Sequence, residues 1–117
     1  MYKSNPDVLK LVVDFLNDQY PFDSSFSIDV ITLKSSLSEQ SIKIIITAFL
    51  AVKHNPKITE EQFKQDTKLS VNKIDNELLG FHFFKSLVLG DDIYFDVMVE
   101  TNLLPGYHNV YLLDVNR

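Results

Sequence analysis

Apolar positions recur with a helical period at the start of the chain. At about 100° per residue, Leu11, Phe15, Val8, Val12, Leu16, Leu9 and Val13 fall on one arc of roughly 200°. Ser4, Asn5, Pro6 and Asp7 supply a capping oxygen, a first-turn proline and an acid, so a helix from there to about Gln19 is predicted. So wide an arc needs cover on both edges. Tyr20, Pro21 and Phe22 end it. Phe26 to Lys34 then alternates apolar with polar as a strand does, except at the adjacent Val30 and Ile31, so residues 23–35 read as strand or short helix. Ser36 and Glu39 have capping-box spacing, and residues 42–54 are apolar nearly all round except for Lys43, Thr47 and His54. That pattern predicts a central buried helix.

Asn55 and Pro56 close the central helix, and Thr59 with Gln62 opens another that should end near Lys68. Leu69 and Ser70 then read as a tight turn and a fresh N-cap. Val71, Ile74, Leu78 and Phe81 share one face of a following helix to about Phe84. Residues 86–89, the turn at Gly90, Asp91 and Asp92, and the alternation of Ile93, Phe95, Val97 and Val99 predict a β-hairpin. Leu104 to Tyr107 places Pro105 and Gly106 where a type II turn wants them, and His108 to Val115 reads as a last strand. The fold class expected is α+β in one domain over 1–117. Residues 1–35 form an N-terminal helix and connector, 36–85 a helical core, and 86–117 an antiparallel sheet of two to three strands.

Composition narrows the function. The chain has 117 residues, 45% of them hydrophobic and 23% charged, as ordinary globular domains do. It has no cysteine, which removes disulfides, thiolate metal sites and cysteine nucleophiles. Neither a long uncharged apolar run nor a signal-peptide pattern occurs, so a cytoplasmic protein without a membrane partner is expected. Net charge is −5, distributed unevenly. Residues 1–33 carry two lysines against five aspartates, residues 34–85 eight lysines against six acids, and residues 86–117 only Arg117 against five acids. A weakly basic middle lies between acidic flanks.

Helix, tight turn, helix and hairpin is the order of the winged helix-turn-helix. Between Ile58 and Val88 the chain resembles bacterial regulators of the MarR-like kind, with Phe63 in the first motif helix, Leu69 and Ser70 at the turn, and Ile74, Leu78 and Phe81 on the second helix. Lys64 stands where the family has a small residue, and Thr67 and Lys68 replace its common turn glycine. The resemblance implies a DNA-binding transcription regulator whose second motif helix enters the major groove of double-stranded DNA. Asn72, Lys73 and Asn76 would face the bases, and Lys64, Lys68 and the Ser70 N–H would position phosphates. It also implies a homodimer built by the terminal helix, with Leu9, Val12, Val13 and Leu16 at the contact.

Charge favours a different reading. The motif helix has Lys73 between Asp75 and Glu77, and the expected wing tip is Asp91 and Asp92, which would meet phosphate with carboxylate. A protein-binding module on the same scaffold, such as a phage or mobile-element inhibitor, would present Asp91, Asp92 and Asp96, with Glu100 and Asp114 of the same acidic sheet, to a basic protein. Phe83 would join them, because Phe81, Phe83 and Phe84 cannot all face one core from one helix. No catalytic residues, cofactor or metal site is expected: His54, His82 and His108 lack ligand spacing, and no phosphate-binding glycine loop occurs.

Overall fold

The computed structural model describes residues 6–18, 22–54, 59–71 and 95–114. Helix α1 (Pro6–Asp18) begins at the proline, with Asp7 in its first turn. Its wide apolar arc is covered within the chain. Leu9, Val12, Val13, Phe15 and Leu16 are buried, while Leu11 at the edge of the arc stays exposed. Leu9, Val12, Val13 and Leu16 are therefore core residues and offer no surface to a second copy. The sheet and the central helix occupy the place that the dimer expectation assigned to a partner.

The single strand predicted over residues 26–34 is a hairpin instead, of β1 (Asp23–Ser27) and β2 (Val30–Lys34). Ser27 pairs with Val30, so only Ile28 and Asp29 form the turn. Residues directly opposite share a sheet face. Phe26 therefore lies on the side of Ile31, and Ser24 on that of Leu33. Inward positions are even before the turn and odd after it, which is why Val30 and Ile31 break the alternation. Ile28 takes a φ of 56°, a conformation that a β-branched side chain disfavours, and its side chain is exposed.

Helix α2 (Glu39–His54) starts later than the predicted box at Ser36. Ser38 is the cap: its Oγ accepts from the Ser41 N–H at 3.2 Å, and its carbonyl accepts from the Ile42 N–H at 3.0 Å. Ile42, Ile44, Ile45, Ile46, Ala48, Phe49, Leu50 and Val52 are all buried, with Lys43 on the exposed stripe. Helix α3 (Glu60–Val71) is capped as predicted, the Gln62 N–H donating to Thr59 Oγ1 at 3.1 Å. It does not end at Lys68. The helical backbone runs on through Leu69 and Ser70, where neither glycine nor proline interrupts it, so the turn expected there is absent and Ser70 starts no new helix at that point.

Strands β3 (Phe95–Thr101) and β4 (Tyr107–Asp114) pair with each other across Asn102 to Gly106. The hairpin predicted between residues 86–89 and 93–100 falls mostly outside the described residues. The type II turn is as predicted: the Tyr107 N–H donates to the Leu104 carbonyl at 3.1 Å, and Gly106 has a φ of 81°. The described sheet is antiparallel, in the order β1-β2-β4-β3. It has four strands because residues 23–34 supply two rather than serving as a connector.

One sheet face packs on the helices through Ile31, Leu33, Val97, Val110 and Leu112. Beyond it, each helix contributes one phenyl ring to a shared cluster. Phe15 and Phe49 stack at 4.0 Å between centroids, and Phe63 lies 5.8 Å from Phe15 and 6.5 Å from Phe49. The sheet edge at β1 is closed by a side chain. Asn17 Oδ1 accepts from the Ser24 N–H at 2.7 Å, and Asn17 Nδ2 donates to the Ser24 carbonyl at 2.9 Å, replacing a neighbouring strand.

Two stability predictions rest on these contacts. Phe49→Ala should cost about 3–5 kcal/mol in urea unfolding, since it opens a cavity between all three helices. Ile28→Gly should raise stability by up to about 1 kcal/mol by relieving the turn; an unchanged midpoint would show the isoleucine to be unstrained.

Candidate functional site

The base-facing residues of the proposed DNA-reading set, Asn72, Lys73 and Asn76, lie outside the described residues, as do Phe83, Asp91 and Asp92. Lys68 and Ser70 lie on the α3 backbone, with side chains outside the description. Lys64 is described, and its ammonium donates to Asp18 Oδ2 at 3.2 Å, tying α3 to the end of α1. A phosphate would have to compete with that carboxylate. Lys10 and Lys53 are likewise paired, with Asp14 at 2.9 Å and Glu60 at 2.8 Å. The hydrogen bond to Asp14, reinforced by its charge, holds the exposed Lys10 ammonium above its ordinary pKa. Lys34 sits 5.9 Å from the centroid of its cross-strand neighbour Tyr107.

Asp96 is described and exposed on β3. Its position identifies the surface to which it belongs. Along β4, Val110 and Leu112 point to the helices, so Tyr107, Asn109, Tyr111 and Leu113 point away. On β3 the same alternation buries Val97 and turns Asp96, Met98 and Glu100 outward. Cross-strand pairing sets Glu100 against Asn109, Met98 against Tyr111, and Asp96 against Leu113. This outer face thus mixes aromatic, amide and carboxylate groups.

A chain of hydrogen bonds orders it. The Leu104 N–H donates to Asn102 Oδ1 at 2.9 Å, Asn102 Nδ2 donates to Asn109 Oδ1 at 2.7 Å, and Asn109 Nδ2 donates to Glu100 Oε1 at 3.2 Å. The Tyr111 hydroxyl donates to the same Glu100 oxygen at 2.9 Å. The turn is fixed further by the Asn102 N–H on the Tyr107 carbonyl and by the Ser35 N–H on the Gly106 carbonyl, both at 3.0 Å. On that ordered turn Leu103 is fully exposed and Leu104 is 58% exposed. At its base Thr101 Oγ1 donates to Glu39 Oε1 at the start of α2.

Sequence reasoning placed Glu100 on an acidic sheet but missed Asn102, Leu103, Leu104, Asn109 and Tyr111. A signal was present in the period-2 pattern of residues 107–113, whose odd positions are mostly polar or aromatic. Without the strand pairing, nothing placed Asn109 beside Glu100. Of the histidines, His108 is directed inward, opposite Leu33, and its Nδ1 is buried without a hydrogen-bond partner. Among the described residues, no group of three or more histidines, cysteines or acids is placed to hold a metal ion, and no helix is long and apolar enough to cross a membrane.

Asn102→Ala removes both ends of the link between turn and sheet. It should cost about 1 kcal/mol and speed hydrogen exchange at the Leu104 amide, measured by NMR; unchanged exchange there would show that the link does not order the turn. Compared with family models, curated proteins and solved structures, the chain matches none of them.

Proposed function

We propose that this chain is a binding module for a basic protein partner, docking through the outer face of the sheet and the β3–β4 hairpin. The observation that supports this reading is charge. From Phe95 to Asp114 the hairpin contains Asp96, Glu100 and Asp114 and neither lysine nor arginine. Lys10, Lys53 and Lys64, meanwhile, are engaged by carboxylates of the chain itself. Binding to duplex DNA draws its free energy from cations that replace phosphate counterions; the hairpin offers none, and on the outer face of the described sheet Lys34, beside Tyr107, stands against Asp96 and Glu100. This surface suits a cationic protein, for which complementary charge speeds encounter and selects the partner. Asp96 belongs to this surface.

A second reading keeps the DNA-binding regulator, with Asn72, Lys73 and Asn76 in the major groove. One feature favours it: β2, which follows the first helix, lies beside the last strand β4, with β3 outside it, as strands are ordered in a winged helix. Against it stand the continuous α3 and a hairpin turn without a cation.

Titration of the full chain at low and at physiological salt separates the two. The expected outcome is saturable, salt-weakened binding to poly-L-lysine and no retention of generic duplex DNA at either salt. Duplex binding that falls steeply with salt and disappears in Lys73→Glu would establish the DNA reading instead.

A further inference from the structure

The side chains of the exposed leucines in the β3–β4 turn take no part in the core. Leu103 touches water over its whole side chain, and Leu104 over more than half of it. Scattered exposed apolar residues are ordinary, but these two are adjacent and stand on a turn held by backbone and asparagine hydrogen bonds. An apolar side chain on an ordered turn loses little conformational entropy when it is buried by a partner, which is the property of an interface anchor.

The carboxylate next to this turn has the complementary property. Glu100 Oε1 already accepts from Tyr111 and Asn109, so the group is held in one orientation. Its Oε2 takes no hydrogen bond among the described residues. The same bonded chain that orients the carboxylate runs through Asn109 and Asn102 to the Leu104 amide, so charge and apolar projection form one rigid unit.

We infer that Leu103 and Leu104 insert into an apolar cleft of a partner protein while Glu100 receives an arginine from the rim of that cleft. The inference rests on the protein-binding reading above and names its contact residues. Charge selects this occupant: the hairpin has acids and no lysine or arginine, and Lys34 on the neighbouring strand is outnumbered by Asp96 and Glu100 on that face, so it disfavours an anionic lipid surface and nucleic acid and favours a protein cleft with a cationic rim. Arginine suits Glu100 better than lysine does. A guanidinium is planar and weakly hydrated, and it directs two N–H groups at one side of a fixed carboxylate, whereas an ammonium is a strongly hydrated point charge.

Selection of a random peptide library displayed on phage against the full chain tests this. The expected peptides carry arginine next to apolar residues. Their affinity should fall roughly tenfold or more for Leu103→Asp, as for an interface anchor, and severalfold for Glu100→Gln. For Glu100→Gln the preference for arginine over lysine should also disappear. Both side chains are exposed, so thermal unfolding of each variant should match the parent and separate lost binding from lost folding. Basic peptides that bind both variants as tightly as the parent and weaken only with Asp96→Asn would overturn this inference and leave the protein-binding reading standing. Selected peptides without basic residues would overturn both.

Discussion

Helix α2 is apolar on nearly every side, and no other element of the fold can be placed until it is covered. A helix of that kind is stable in water only when neighbours bury most of its circumference. The described structure meets the constraint with the sheet on one flank and α1 and α3 on others. The stacked rings of Phe15, Phe49 and Phe63 mark where the three helices converge. The width of the α1 arc has the same cause. Leu9, Val12, Val13 and Leu16 face inward because α2 and the sheet both need cover, and a second copy of the chain has no part in burying them.

A sheet laid against α2 and α1 has one committed face, and its other properties follow from that. Alternation along β3 and β4 sends Val97, Val110 and Leu112 into the core and leaves Glu100, Asn109 and Tyr111 on the opposite side. The two edges of the first hairpin are treated differently: β2 pairs with β4, while β1 has its open backbone at Ser24 bonded by the side chain of Asn17. A polar side chain closes that edge where another strand would otherwise add.

Electrostatics divides the molecule in a similar way. Lys10, Lys53 and Lys64 on the helices are drawn to nearby acids, the pair of Lys64 with Asp18 joining sequence-distant segments. Such exposed pairs add little stability. Their consequence is for recognition, because they leave less unpaired positive charge on the helical side while the hairpin keeps its carboxylates. Glu100 is held by hydrogen bonds from Asn109 and Tyr111 and, among the described residues, by no cation. An acid oriented in this way stays available at the surface.

Several features are legible in the amino-acid sequence itself. Capping chemistry locates the starts of α1 and α3, uninterrupted apolar character identifies α2 as central, and proline followed by glycine specifies the turn at Leu104 to Tyr107. These signals are local, arising from a residue's own backbone preference or from neighbours within one turn. The hairpin of β1 and β2 is hidden because Ile28 occupies a turn position that sequence preference assigns to glycine or asparagine. The extension of α3 past Ser70 is hidden because serine is compatible with both a cap and a helix interior.

What the sequence determined alone was therefore the starts of α1 and α3, the central place of α2, the turn between β3 and β4 and the acidic character of the last third. The partner of each strand, the burial of the α1 arc and the meeting of Asn102, Asn109 and Glu100 were decided only in three dimensions. Strand pairing joins residues by register rather than by sequence distance, and no local pattern encodes which register buries the most apolar surface.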